Sequence, residues 1–479
     1  MIFEIWAEKN ADDKKVFFYD NETNSISEPN GFVYEYPTIQ ETPDRKLATT
    51  FDRNSPLKKS KSIQLLKIQM GLSCNYSCEY CSQKFVDRPP ETSKKDIDNF
   101  LALLDNLEFD EEKGLQIEFW GGEPLVYWKT LRPLAEAIKD RFSSWGKEPR
   151  LTMITNGSIL TKEMAQWLYY MGFQVGISHD GPGQSVRGPD PFDDPAQKKI
   201  ILDFWKTMHK HGRISFNAMM NSKNTSRKAV YEYFVELTGD PSVRIGEGSI
   251  VDAYDEDGAS NSLQTLEEHF NYRRQSFSEI FASNGQIGVT TVLDKIDGFT
   301  KSTLAHNHSK YLAQKCGMDN ENTIAIDLRG NVITCQNVSA TETAMNGESH
   351  LGGSITDMDN VVIKTSTHWT SRKECSGCPV LHLCKGACMF LDKKYWDISC
   401  ANAYSDNVPL FALSFEKITG YIPVLIKHDD LPIERQDIWG VKFKHEEKQV
   451  KKIIPIKVVS EKVAVIDDVE VYGKSRLES

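Results

Sequence analysis

From Ser62 to about Val251 the chain alternates short apolar runs with longer amphipathic ones. The apolar runs, at 63–70, 115–120, 151–155, 173–178, 214–220 and 243–246, have strand length. Between them, 93–107, 128–145, 161–171, 196–211 and 225–238 carry apolar residues at helical spacing; in the second these are Leu131, Leu134, Ala135, Ile138 and Phe142. Thr161 and the pair Thr92-Ser93 stand where helix N-caps belong. Strands that alternate with helices in this way predict an α/β protein with a parallel sheet. Ligands of such sheets gather at the carboxyl ends of the strands.

The flanks read differently. Residues 1–60 form a β-rich appendage with a linker, and the runs at 15–19 and 31–36 predict a hairpin. Residues 256–312 form a bridging helical segment, with one helix expected over 263–282. A closing helix and turn are expected over 406–424. The charged remainder to 479 holds β-like runs at 453–459 and 463–466, suited either to strand addition onto a peptide or to packing on the core.

A length of 479 residues implies two or three domains. Hydrophobic residues at 39% and charged ones at 26% describe a globular chain. No run nears the roughly 18 apolar residues of a membrane span, and the amino terminus lacks a signal peptide's basic start and apolar core. The expectation is a cytoplasmic protein without a membrane partner. A net charge of −11 argues against a nucleic-acid surface. Ten cysteines in a reducing compartment point to metal ligation rather than disulfides.

The chemistry concentrates in Met70-Gly-Leu-Ser-Cys-Asn-Tyr-Ser-Cys-Glu-Tyr-Cys81, directly after the first strand. Cys74, Cys78 and Cys81 stand at C-x3-C-x2-C. A cubic iron–sulfur cluster takes one thiolate per iron, so three leave one iron with an open position. Read alone, a C-x2-C pair is also zinc or redox spacing. Gly121-Gly-Glu-Pro124 follows the second strand, and its glycines permit a close backbone approach. Thr155-Asn-Gly157 ends the third strand and Ser178-His-Asp-Gly-Pro182 the fourth; Asp180 also fits a plain Asp-Gly turn. Asn217 and Asn221, on and after the fifth strand, suit either the same rim or strand-end capping.

On these motifs the chain resembles the radical S-adenosylmethionine (SAM) superfamily. The resemblance implies a partial (β/α)6 TIM-like barrel over 61–255 and a 4Fe-4S cluster on Cys74, Cys78 and Cys81 whose open iron binds SAM. It further implies SAM contacts from Gly121, Gly122, Glu123 and Ser178, with Tyr80 beside the adenine. Arg187 carries over on weaker grounds, because sulfatase-maturing relatives place His-Asp before that arginine and this chain reads Gly183-Gln-Ser-Val-Arg187. The order of Cys316, Cys335, Cys375, Cys378, Cys384, Cys388 and Cys400, with Gly330, resembles the SPASM domain, placed at 313–405; a zinc ribbon is the competing reading. By that correspondence Cys316, Cys335 and Cys388 hold one auxiliary iron–sulfur cluster with an open or non-cysteine ligand. Cys375, Cys378, Cys384 and Cys400 hold a second. Sulfatase maturases carry an Asp base after the cysteine matching Cys335; here Gln336 follows, and an amide accepts no proton at neutral pH.

The expectation is an enzyme that cleaves SAM to a 5′-deoxyadenosyl radical and takes hydrogen from a peptide or protein. Its partners would be that substrate and an electron donor such as flavodoxin or ferredoxin. Formylglycine formation and small-molecule dehydrogenation are the alternatives within the class. A non-catalytic electron carrier is the alternative outside it, and Glu123 argues against that, since a carrier needs no SAM site.

Overall fold

The computed structural model describes residues 1–37, 51–84, 86, 92–283, 290–441, 464–466 and 469–471. The alternating pattern becomes strands β1 (Leu65–Gln69), β2 (Gln116–Trp120), β3 (Arg150–Thr155), β4 (Gln174–Ser178), β5 (Ile214–Met220) and β6 (Ile245–Ile250). Helices α1 (Ile97–Leu103), α2 (Trp128–Arg141), α3 (Lys162–Tyr170), α4 (Pro195–His209) and α5 (Arg227–Thr238) join them. Each strand pairs in parallel with the next. Leu131, Leu134, Ala135 and Ile138 of α2 are buried against the sheet, and Thr161 caps α3 by accepting from Met164 N–H. The fold is an α/β partial barrel.

The sheet does not end at β1. Strands β7 (Thr323–Asp327), β8 (Asn331–Ile333) and β9 (Leu351–Ser354) extend it, giving the order β6-β5-β4-β3-β2-β1-β7-β8-β9. β7 lies parallel to β1, whereas β8 and β9 run antiparallel. The segment carrying Cys316 and Cys335 is thereby built onto the barrel's own sheet. Gln69, at the end of β1, donates from Nε2 to the carbonyls of Gln336 and Val338 at 2.8 and 2.7 Å, fixing the loop after Cys335.

A second core lies beside the barrel. Strands Ile2–Glu8, Lys14–Asp20 and Ser25–Ser27 form a sheet with Ile422–Lys427. Helices α6 (Leu266–Ala282), α7 (Thr290–Leu304) and α8 (Lys393–Thr419) pack on it. Phe17 meets Phe415 and Tyr19 meets Phe411, each with ring centroids 5.2 Å apart.

Several expectations shift. The hairpin joins Ile2–Glu8 to Lys14–Asp20 rather than 15–19 to 31–36, because Phe3, Ile5, Phe17 and Tyr19 present one alternating apolar face to α8, while Phe32 is exposed. The closing helix begins at Lys393, thirteen residues earlier than expected. Helix α7 lies within the expected helical segment 256–312, beyond the helix located there at 263–282, and its Val292, Ile296 and Phe299 keep helical spacing. β6 runs to Ile250 through Gly246 and Gly248, where glycines weaken a strand signal. Gly246 has a steric reason: a Cβ there would lie 2.5 Å from Asn217 Oδ1. The run at 453–459 falls outside the described residues; Ala464–Ile466 pairs with Val469–Val471. Among the described residues no helix is long and apolar enough to cross a membrane.

Candidate active site

The loop after β1 is held by backbone contacts with the glycine pair after β2. Met70 N–H donates to Trp120 O (2.7 Å), Gly122 N–H to Gly71 O (3.1 Å) and Glu123 N–H to Ser73 O (3.0 Å). Tyr127 adds a side-chain acceptor for Ser73 N–H at 2.7 Å. The approach leaves no room for side chains: a Cβ on Gly122 would lie 2.6 Å from Leu72 O and closer still to Ser73 O, and one on Gly121 2.8 Å from Gly71 O. The glycines therefore serve the cysteine loop as much as any ligand. Gly122→Ala is expected to push that loop off its seat and cut iron loading at Cys74, Cys78 and Cys81 several-fold, read by iron analysis of anaerobically purified protein. Full loading would refute this account of the glycine.

Glu123 is buried at this junction. Its Oε1 accepts from Thr155 Oγ1 (2.6 Å) and Leu125 N–H (3.0 Å), and its Oε2 from Asn156 N–H (2.7 Å). Burial raises its pKa above the usual carboxylate value, against the lowering effect of these bonds and of Arg187. Oε2 retains acceptor capacity for one more donor.

Opposite lies a three-residue network. Tyr80 donates from its hydroxyl to Asp180 Oδ2 (2.5 Å), and Arg187 Nη1 donates to the Tyr80 oxygen (2.8 Å) and pairs with Asp180 Oδ1 (3.5 Å). Asp180, wholly buried, also accepts from Met219 N–H at 3.0 Å. It acts as an anchor between β4 and β5 rather than a rim group. Burial works against the Arg187 charge, but Tyr80 and Asp180 outweigh it and hold the guanidinium protonated above its usual range. Its Nε has no hydrogen-bond partner among the described residues.

These groups surround one cavity of about 330 Å³ at the carboxyl ends of the strands. Every barrel residue proposed from sequence as a cluster or SAM contact lies on its wall: Cys74, Cys78 and Cys81; Gly121, Gly122 and Glu123; Tyr80, Ser178 and Arg187. Asn217 joins them. Asn221 does not, pairing instead with Asn224. The wall also holds Trp120, Asp252, Tyr254 and Asn337, which local sequence did not single out. Asp252 and Tyr254 follow β6, and their position depended on where that glycine-bearing strand ends. Asn337 arrives from the segment after Cys335.

The remaining cysteines fall into two sets. Cys375, Cys378, Cys384 and Cys400 line one small cavity with Arg435, whose Nη2 donates to Cys400 Sγ at 3.2 Å. Cys335 senses the charge of Cys316, and Cys388 senses that of Cys335, in a separate neighbourhood. Burial pushes the thiols up, to about 11 at Cys78 and Cys378 and about 12 at Cys335, Cys384 and Cys388. Buried thiols of this kind ionise when a metal supplies the compensating charge. Among the described residues no three His, Cys, Asp or Glu groups gather on a single ion position. A cubane, which takes one thiolate per iron, does not require that convergence. At the barrel loop the donors fit such a cluster with SAM: three thiols, an acceptor at Glu123 for an ammonium, and an unpartnered Arg187 Nε on the same wall.

Residues 68–234 match the Radical SAM superfamily. The chain carries a radical SAM domain. It is 23% identical over 368 residues, 72% of each chain, to the radical SAM cyclopropyl synthase TigE of Paramaledivibacter caminithermalis. It is 26% identical over 279 residues to the GTP 3′,8-cyclase of Campylobacter lari, covering 57% of this chain and 80% of that enzyme. The solved structure of native anSMEcpe with bound AdoMet and Cp18Cys peptide aligns with a TM-score of 0.50 at 19% identity, over 74% of this chain and 99% of that one. That likeness is one of fold.

Proposed function

We propose that this radical SAM enzyme modifies a ribosomally made peptide or a protein, forming a crosslink or a related oxidation, with the seven later cysteines as a SPASM-type module holding two auxiliary clusters. One observation carries this reading: the segment after Cys335 places Asn337 on the wall of the cavity that Cys74, Cys78 and Cys81 line, so the second cysteine system abuts the reaction site. In support, the relative TigE is named a cyclopropyl synthase, and anSMEcpe was solved with a peptide bound.

A cluster held by Cys74, Cys78 and Cys81 would supply the electron for reductive cleavage of SAM, and auxiliary clusters held by the seven later cysteines would supply electron acceptors. The chain's own residues orient and shield. Glu123 would receive the SAM ammonium, Arg187 and Ser178 would offer donors to its polar groups, and Tyr80 would carry the adenine side. Trp120 and Met219 close apolar wall around the reacting carbon, which excludes water. Gln336 cannot accept a proton, and besides Glu123 the wall's carboxylate among the described residues is Asp252. Asp252 is therefore placed to hold a proton released from substrate. This disfavours formylglycine formation by the Asp-after-cysteine route.

Iron and sulfide analysis after anaerobic reconstitution tests the cluster assignment. We expect about twelve irons per chain, falling to about eight when Cys375, Cys378, Cys384 and Cys400 are changed to alanine. About four irons in the unaltered protein would reject the auxiliary clusters.

A further inference from the structure

Arg435 lies 35 residues beyond Cys400, outside the cysteine-rich segment, in the short turn Ile433–Gln436. Among the described residues no carboxylate pairs with it, and its guanidinium turns to sulfur instead: Nη2 donates to Cys400 Sγ at 3.2 Å. Cys375, Cys378 and Cys384 line the same small cavity, so four thiols meet there, one for each iron of a cubane. Val380, Leu381, Ala387 and Trp396 make its wall apolar, and the one other charged group on it, Glu374, is exposed to solvent. Holding a half-buried guanidinium without a carboxylate is costly unless an anion of another kind is its partner. Thiolates on a metal cluster are such an anion.

Both ends of Arg435 are fixed by the helices of the second core. Tyr404 of α8 donates from its hydroxyl to Arg435 O at 2.5 Å, and Arg273 of α6 donates from Nη1 to Glu434 O at 3.1 Å. Gln436 Nε2 donates to Leu431 O at 2.7 Å and closes the turn. The Arg435 guanidinium itself rests against the Tyr404 ring, 5.0 Å from its centroid. Tyr404 follows Cys400 by about one helical turn on α8. The helix that supplies the thiol therefore also supplies the seat for the cation that reaches it.

We propose that Arg435 is the counter-ion of a cluster held by Cys375, Cys378, Cys384 and Cys400, and that it raises the reduction potential of that cluster through its hydrogen bond to the Cys400 sulfur. The inference rests on reading those four cysteines as cluster ligands. On taking up one electron a cluster gains one negative charge, and a fixed cation beside it stabilises the reduced form more than the oxidised one. A hydrogen bond to a ligating sulfur acts in the same direction. The apolar wall keeps water from screening either effect. A residue that only closed the cavity would, when replaced, change iron loading and leave the potential where it was.

The test uses the full-length chain with Cys74, Cys78 and Cys81 changed to alanine, so that electron paramagnetic resonance of the reduced protein shows auxiliary signals alone. Changing Cys375, Cys378, Cys384 and Cys400 to alanine as well identifies the signal that belongs to that set. Arg435→Met should move the midpoint potential of this signal downward and leave the other in place. Arg435→Lys, which keeps a cation, should return part of the loss. Protein grown on arginine labelled with heavy nitrogen should show a nitrogen coupling on the same signal. That coupling is read with Arg435 in place, so a poorly loading variant does not block the test. With about eight irons per chain present, an unmoved potential in Arg435→Met overturns the role of Arg435 alone, and where neither variant loads, so does a missing nitrogen coupling. An iron count near zero in the chain bearing Arg435 overturns it together with the auxiliary-cluster reading on which it rests.

Discussion

Changing Cys74, Cys78 and Cys81 together to alanine is expected to reduce SAM-dependent formation of 5′-deoxyadenosine to the background of a protein-free control. Iron content should fall by about four per chain, one cubane. The fold should survive, because backbone hydrogen bonds and not the thiols seat the loop: Gly122 N–H on Gly71 O and Glu123 N–H on Ser73 O remain available. Chromatographic quantification of 5′-deoxyadenosine under reducing anaerobic conditions checks the first expectation, and far-ultraviolet circular dichroism the second. Product at the unaltered level would mean that the SAM-cleaving site lies elsewhere.

The second large effect concerns stability. Arg227, the first residue of α5, is wholly buried and forms an ion pair with Asp406 of α8, while its Nη1 donates to Ser276 Oγ of α6 at 2.7 Å. Tyr272 adds a hydroxyl donor to Asp406 at 2.8 Å. This network joins the barrel to the second core. Arg227→Met leaves a buried carboxylate short of its main counter-charge, and a loss of about 3–5 kcal/mol follows, a fall of roughly 3–5 °C in the melting temperature of a chain this size. Burial alone would raise the Asp406 pKa, but Arg227 first and Lys295 next outweigh it and hold it below the ordinary value. The folded state therefore binds this proton less readily than the unfolded state. The pair's contribution is complete above about pH 4 and declines as the pH falls through the depressed value. The gap between Arg227→Met and the unaltered protein should accordingly narrow in acid. Differential scanning calorimetry at neutral and acid pH decides; a variant within about 1 kcal/mol at pH 7 would show the pair to be dispensable.

The barrel was legible because its signals are local. Strand periodicity, N-caps such as Thr161, and the glycines before Glu123 act over a few residues and find the same partners wherever an α/β sheet forms. Where local and tertiary demands conflict, sequence reading lost resolution. Gly246 and Gly248 made β6 end too early on the page, and Asp252 and Tyr254 were missed with it, although Gly246 is there to admit the Asn217 side chain. The 15–19 run pairs with Ile2–Glu8 and not with 31–36, where Phe32 stays exposed and only Tyr34 reaches the second core, against Phe17, beside a single bridge from Val33 to Ser27.

What the sequence by itself determined is the set of candidate groups: three cysteines at one spacing, the Gly-Gly-Glu-Pro turn, and seven later cysteines, whose division into a set of four and a set of three is implied only by the resemblance to the SPASM domain. Residue type and spacing suffice there, since a thiolate or a carboxylate is defined by its own atoms. What only the tertiary structure decided is adjacency. The segment after Cys335 comes beside the cavity that Cys74, Cys78 and Cys81 line because β7 completes its backbone hydrogen bonds on the open edge of β1. Residues 251–254 bridge the two systems because α8 supplies Ser399 and Asn402 to satisfy their buried backbone groups. Those partners lie more than a hundred residues apart in the chain, so no local pattern encodes their meeting; it follows from where unpaired backbone and apolar faces can be buried together.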